Sequence, residues 1–354
     1  MKFCSRCLTS ITEKDLTSIS LIKSEYLKDQ IPWFLGYSGG KDSSALLTLV
    51  FNALSELSSY HKPVIVVYCD TGVEIPTISA YVKNTIKSLM IECKRFSLPF
   101  EFKIVKPKLD DRYFVKVIGR GYPPPTNIFR WCTDRLRINP VKSVISPSCN
   151  SIVLLGVRLG ESQERDRTII KHNTESKYYL NQGTSTKTKI FSPIVDYSVN
   201  DVWSTLKFNI LPASINHSSI GQLYKDAGSE CPVYKETKGT PCGKGRFGCW
   251  TCTVVRQDKS VESMIANGHE DLNELFQFRN WLVKFRDNPK YRASIRRNGR
   301  IGLGPITLTG RKMILKKLLI AQERSGFQLI EQEEIEKIHH LWQIDKRDPE
   351  YREV

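Results

Sequence analysis

The stretch Trp33-Phe34-Leu35-Gly36-Tyr37-Ser38-Gly39-Gly40-Lys41-Asp42-Ser43 decides the fold. Its first five residues read as a buried strand, Ser38 to Lys41 as a tight loop, and the residues beyond Lys41 as a helix. Leu46, Leu49, Val50, Ala53 and Leu54 recur on one helical face. Two glycines let the backbone turn sharply and approach a ligand closely. Free N–H groups at a helix start, with the macrodipole, favour an anion there. Lys41 adds a charge, and Ser38 and Ser43 add hydroxyls. Asp42 is odd in a pure anion site and makes more sense holding Mg²⁺ or orienting nucleotide groups. The Gly-x-x-x-x-Gly-Lys spacing of a Walker A loop is absent. The bland alternative is a Gly-Gly turn capped by Asp42 or Ser43.

Working outward, residues 16–30 read as a short amphipathic helix. Val64-Ile65-Val66-Val67-Tyr68 reads as a second buried strand ending in Cys69-Asp70-Thr71-Gly72, Phe102–Val105 as a third, and Ile152–Val157 as another. Apolar strands alternating with helices predict an α/β fold, a mostly parallel sheet covered on both faces. The polar segment 171–190 reads as a loop. Residues 225–260 turn to Cys, Gly, Pro and Lys without periodicity, so apolar burial alone does not hold them together. Beyond 270 the pattern is helical, with stripes at Leu275, Phe278, Leu282 and Phe285, at Ile314, Leu315, Leu318 and Leu319, and at Ile335, Ile338 and Trp342. The expected organisation is an N-terminal segment 1–30, a nucleotide domain 31–225, a cysteine-rich segment 226–260 and a basic helical region 261–354.

The 354 residues carry 53 Lys plus Arg against 37 Asp plus Glu, a formal charge of +16. That balance points to a polyanionic partner, nucleic acid first and an anionic membrane surface second. Hydrophobic residues at 40% and charged residues at 25% exclude wholesale disorder. No apolar run approaches the roughly 18 residues of a membrane span, and the N-terminus has no signal-peptide core. A cytoplasmic location is expected, with the 10 cysteines reduced and their clusters metal-binding or catalytic. Cys231, Cys242, Cys249 and Cys252 fall in the aperiodic segment, the last two as C-x-x-C, a spacing that suits Zn²⁺ or a [4Fe–4S] cluster. Cys4 and Cys7 offer half of a zinc knuckle with Cys249 and Cys252. Cys69, Cys93 and Cys149 read as buried hydrophobes. Arg286, Lys290, Arg292, Arg296, Arg297 and Arg300 face only Asp287 and suit either phosphate contacts or a solvated loop.

Ser38 to Ser43 resembles the PP-loop of ATP pyrophosphatases, which cleave ATP between the α and β phosphates. Asp70-Thr71-Gly72, the Arg130-Trp131-Cys132-Thr133 to Pro140 segment, Gly156-Val157-Arg158-x-x-Glu161-Ser162-x-x-Arg165, and Pro193-Ile194 with Asp201-Val202-Trp203 are similar to motifs of the phosphoadenosine phosphosulfate (PAPS) reductase group, in order and spacing. Gly121 to Thr126, Phe247 to Val255, Arg279 to Leu282 and Gly302-x-Gly304-Pro305 look like the sulfurtransferases of the Dnd system, which put sulfur into the DNA backbone. The resemblance implies ATP, Mg²⁺ and a [4Fe–4S] cluster as cofactors. As partners it implies DNA, a cysteine desulfurase as sulfur donor, and other phosphorothioation subunits. It also implies that Lys41, Asp42, Arg158 and Cys132 are catalytic. Ser38, Gly39, Gly40, Lys41, Asp42, Ser43, Asp70, Gly156, Arg158 and Arg165 would bind nucleotide, and Cys231, Cys242, Cys249 and Cys252 the metal.

Where cluster-bearing reductases have a Cys-Cys pair, this chain has Cys132-Thr133. Cys132 is therefore either a ligand in place of Cys231 or Cys242, or a sulfur carrier whose pKa Arg130 and Arg135 lower; the carrier role is expected. A PAPS or adenylylsulfate reductase, a tRNA thiolase and a non-catalytic ATP-dependent DNA-binding subunit are the alternatives. No cysteine follows Cys252, where such reductases usually carry a catalytic one.

Overall fold

The computed structural model describes residues 11–145, 150–160, 167, 176–181, 187–209, 211–228 and 247–347. Six strands form one sheet: β1 (Trp33–Gly36), β2 (Val64–Cys69), β3 (Phe100–Val105), β4 (Ser151–Leu154), β5 (Tyr179–Asn181) and β6 (Thr188–Phe191). Their order is β3-β2-β1-β4-β6-β5, and only β5 runs antiparallel to its neighbour. The central strands β1, β2 and β4 are buried on both faces, as their unbroken apolar runs require. β3 at the edge alternates, and its exposed positions are those that face water.

One face carries Trp33 and Leu35 into the main core with α1 (Glu13–Leu27) and α2 (Lys41–Ser55). The α1 helix starts three residues before the expected one. Thr12 caps it, its hydroxyl accepting from Asp15 N. The α2 helix is buried nearly all round because a further helix, α5 (Val199–Phe208), closes over its outer side. The opposite face seats Phe34, Ile65, Val67 and Val153 against Val141, Val144 and Ile145. Val141 lies on α4, which runs through Trp131–Thr133, Asp134–Ile138 and Asn139–Lys142 with a π-helical middle.

Two sequence readings need correction. The polar segment 171–190 is not all loop, since β5 and the start of β6 lie in it. An edge hairpin needs few apolar side chains, and Leu180, Ile190 and Phe191 suffice. Leu319 does not join its stripe; it is 37% exposed, one position past the buried Leu318.

The other stripe residues pack into the core, with Ile335 and Trp342 only partly buried. After α3 (Pro76–Arg95), α6 (His217–Asp226) and α7 (Lys259–Ala266), which no stripe foretold, they form α8 (Asn273–Arg286), α9 (Leu308–Ser325) and α10 (Gln332–Arg347). These helices share the main core, which extends from Ile19 to Leu341. Arg311 of α9 donates to Gly119 O at 2.6 Å, and Trp342 of α10 donates to Ile118 O at 2.8 Å. Among the described residues no helix is long and apolar enough to cross a membrane.

Candidate active site

The sheet order reverses between β1 and β4, and the chain's glycine loop leaves β1 there. Ligands of open α/β sheets bind at the carboxyl ends of strands at such a switch point. Gly40 is the N-cap of α2 and offers no side chain to its first turn, which leaves the part of that turn beyond Lys41 N to an incoming anion. Gly39 has φ +73°, and a Cβ there would meet Val82 Cγ2 at 2.2 Å. Gly156, which follows β4, passes so near that a Cβ would lie 2.8 Å from the Asp42 carbonyl. Gly39 is demanded by its left-handed backbone and the Val82 side chain against it, and Gly156 by close backbone approach.

Around this loop the side chains interlock. Ser43 Oγ donates to Gly40 O at 2.9 Å and lies 3.1 Å from Ser38 Oγ. Arg158, 3% exposed, donates from Nε to Asp42 Oδ1 at 2.5 Å and from Nη1 to Tyr197 O at 3.0 Å. Lys41 Nζ is 3.3 Å from Asp42 Oδ2 and stands over the Tyr224 ring. Tyr224 also accepts from Lys41 N. One carboxylate thus holds two cations at the mouth of the loop. Tyr224 carries no motif, and only tertiary packing brings it there. Asp201, by contrast, closes a capping box with Ser198 and pairs with Lys14, which makes it structural.

Asp70, 4% exposed, ends β2 and pairs with Lys83 at 2.9 Å. It opens onto a cleft of about 320 Å³ whose walls include Glu74, Lys83, Arg112, Trp250 and Glu334. Burial pushes the Glu334 carboxyl up to about 6, from an ordinary value of 4.5. A folded-state pKa above the unfolded one means that the folded protein binds the proton more tightly, so stability falls as pH rises from about 4.5 through 6 and is flat above. Glu334→Gln is expected to match wild type near pH 4.5 and to gain up to about 2 kcal/mol by pH 7.5. Urea titrations at both pH values measure this, and an equal difference at both would contradict it.

The thiols gather at the same end of the sheet. Cys249 Sγ lies 3.8 Å from Arg137 Nη2, and the Cys249–Cys252 turn is closed by Cys252 N donating to Cys249 O. Trp250 N donates to Val73 O, and Cys249 bridges Glu74, docking the turn on the segment that follows Asp70. Tyr113 OH donates to Thr251 O. Arg279, 1% exposed, donates to the carbonyls of Cys252, Val255 and Arg256. This guanidinium ties down residues 252–256, the described end of the aperiodic segment, a role the sequence pattern does not disclose. Cys132 on α4 is near enough to Cys249 and Cys252 for the charges of the three to act on one another, and Cys69 acts likewise on Cys249. Cys69 is therefore not an inert core residue; it is half-buried, with Sγ 3.1 Å from Leu136 O. Cys93 is buried as expected.

The expected lowering of the Cys132 pKa is reversed: burial raises it, and Cys252 raises it further. Arg130 faces Asn127 and Arg135 faces Asp111, so neither serves the thiol. Burial also pushes Cys249 up to about 11 and Cys69 up to about 12. Free of metal, these thiols keep their protons, and a metal would remove them outright. No three Cys, His, Asp or Glu side chains among the described residues converge on a single ion. Arg165, Cys231, Cys242, Cys149, Cys4 and Cys7 lie outside the described residues.

Comparison with known proteins places this site in context. Two uncharacterized proteins of Methanocaldococcus jannaschii are 28% identical over 196 residues (54% of this chain, 35% of the relative) and 27% identical over 202 (56% and 42%). The chain thus spans well under half the length of these curated relatives. Among solved structures, U34-tRNA thiolase NcsA from Methanococcus maripaludis, with its [4Fe-4S] cluster, is 15% identical, covers 80% of each chain and has a TM-score of 0.39. Phosphoadenylyl-sulfate reductase from Candida auris is 11% identical, covering 60% of this chain and 90% of its own, with a TM-score of 0.34. Scores this low carry no functional weight. The phosphoadenosine phosphosulfate reductase domain, however, matches residues 32–255, from the first strand through the cysteine turn, and the chain belongs to that family.

Proposed function

We propose that the protein is an ATP pyrophosphatase that acts as a sulfurtransferase on DNA backbone phosphates. The observation that carries this reading is the gathering of Cys132, Cys249 and Cys252 at the sheet end that also bears the glycine loop and Asp70. ATP would lie with its phosphates on the N–H groups of Gly39, Gly40 and the first turn of α2. Lys41 and Arg158 would balance their charge, and Mg²⁺ would arrive on the phosphate oxygens and share Asp42. A non-bridging oxygen of the DNA phosphate attacks the α-phosphorus, and pyrophosphate leaves. The preset cations stabilise the charge that builds on it.

The adenylated phosphate solves the leaving-group problem, because oxygen departs as part of AMP. A persulfide from a cysteine desulfurase attacks the DNA phosphorus and AMP leaves. A thiol then takes up the persulfide's S–S bond as a disulfide, and the sulfur stays on the phosphate. A [4Fe–4S] cluster on Cys132, Cys249 and Cys252 would supply electron or sulfur handling beside this site. Cys132, protonated by burial and set beside the C-x-x-C turn, suits a ligand better than a free carrier. Mass spectrometry of nuclease-digested DNA from cells with and without the chain is the test. Phosphorothioate dinucleotides should appear only with it. Thiolated tRNA nucleosides in their place would overturn the DNA substrate.

A further inference from the structure

Residues 291–307 form a hairpin that the charge count alone does not explain. Ladder bonds join Thr307 N to Tyr291 O, Ala293 N to Pro305 O, Gly302 N to Ser294 O and Arg296 N to Arg300 O. Its tip, Arg296-Arg297-Asn298-Gly299-Arg300, turns at Gly299 with φ +77°. Ile295 and Ile301 pair directly across the two strands, so both side chains share one face. That face is in water: Ile295 is 56% exposed and Ile301 90%. Leu303, Ile128 and Phe129 are exposed too. A single exposed aliphatic residue means little, but Ile295 and Ile301 stand side by side in water, and such a pair marks a contact surface.

The hairpin is not a loose appendage. Arg292 donates to the carbonyls of Arg286, Leu303 and Gly304, and Arg286 to those of Pro125 and Thr253. These two arginines, read above as either phosphate contacts or part of a solvated loop, are spent on fixing the hairpin's base. Arg297 lies 4.5 Å over the Tyr122 ring and donates to Arg120 O. Tyr122 stacks on Phe129 and meets Trp131 edge-on, and Trp131 stacks on Tyr113, whose hydroxyl reaches Thr251. A continuous ladder of rings therefore joins the hairpin to the thiols. The remaining tip cations, Arg296 and Arg300, are exposed.

Between Asn288 and Gln322 the chain has nine Lys and Arg and no Asp or Glu. Arg311 is buried against Asp345, but Arg296, Arg297 and Arg300 are exposed, and an aliphatic pair flanked by these cations repels a second copy of a chain carrying +16. It complements a polyanion that also offers apolar faces, and stacked bases are such faces. We propose that this hairpin is a wedge for duplex DNA: Ile301 and Ile295 enter a base step while Arg296 and Arg300 grip the flanking phosphates. Aliphatic wedges that part a base step and bend the duplex are a recurring device of DNA binding, whereas single-stranded RNA is held by stacking on aromatic rings. Here the exposed pair that flanks the tip, Ile295 and Ile301, is aliphatic, and the nearby rings of Tyr122 and Phe129 are already stacked on one another. The inference rests on the DNA reading above and adds how the duplex is opened beside the thiols.

The test uses a duplex of roughly two turns with 2-aminopurine in a central TA step, which unstacks easily. Wild type should raise the fluorescence several-fold at saturation. Ile301→Ala, at a 90% exposed position that folding does not depend on, should lose most of that rise and bind about 3- to 10-fold more weakly with an unchanged salt slope. Arg296→Ala with Arg300→Ala should lower the log–log salt slope by about 2 and keep the rise at saturation. Ile91→Ala, an exposed isoleucine on α3, should change neither. Binding without a rise, or a rise that survives Ile301→Ala, would overturn the wedge and leave the DNA reading standing. No duplex binding at low salt would overturn both. Tighter binding to a tRNA transcript than to the duplex would replace DNA by RNA as the partner.

Discussion

Asp42→Asn is expected to cut ATP-dependent pyrophosphate release by about 10²-fold or more, with the fold intact. The asparagine keeps an oxygen for Arg158 Nε, now 2.5 Å from the carboxylate, but removes the charge that holds Arg158 and Lys41 together at the loop mouth. Misplacing groups that meet developing charge in the transition state costs on that scale. Asp42→Ala should do more. Arg158 is 3% exposed, and among the described residues taking away its carboxylate leaves a buried charge facing only the Tyr197 carbonyl. Breaking such a pair costs about 3–5 kcal/mol. The two variants therefore separate chemistry from folding: the first lowers turnover at near-normal melting temperature, and the second lowers both. Wild-type turnover in Asp42→Asn, or ADP and phosphate as products, would refute the pyrophosphatase reading.

The parts of the molecule that were legible in the sequence are the local ones. The buried strand, glycine turn and helix of residues 33–54 lie in one continuous stretch, and each step has its own residue signature. Apolar runs at 64–68 and 152–154 gave the sheet interior for the same reason. What stayed hidden depends on contacts across long separations. Arg279 reads as one residue of a helical motif, yet its side chain caps three carbonyls 23 to 27 residues away. Cys69 reads as a strand-end hydrophobe until the turn at Cys249 docks beside it. The two arginines nearest Cys132 in sequence point elsewhere, because α4 places Arg135 toward Asp111 and leaves Arg137 beside the thiols. Periodicity cannot report which side chains meet when they come from different elements.

The thiol neighbourhood sets the second large expectation. Anaerobically purified protein should be brown, with broad absorbance near ~400 nm and about four irons per chain. Cys249→Ser and Cys252→Ser should bleach it, and so should Cys132→Ser, because the three thiols share one neighbourhood. If Cys132 were only a carrier, its serine variant would keep colour and iron and lose sulfur transfer alone. The fourth ligand is then decided by elimination: Cys69→Ser bleaches if that thiol completes the set, and Cys231→Ser or Cys242→Ser if one of those does. Arg279→Leu offers a test that touches no thiol. It strips three carbonyls of their donor, each at about 1–3 kcal/mol, and should destabilise the fold by several kcal/mol while lowering iron content. Arg279→Lys, which keeps a charge and fewer donors, should recover part of both. A colourless protein with stoichiometric zinc would overturn the cluster, since it would require thiolates to converge on one tetrahedral ion. Iron content unchanged in Arg279→Leu would show that the turn is held by its cluster and its Trp250 anchor alone, with the guanidinium serving the fold only.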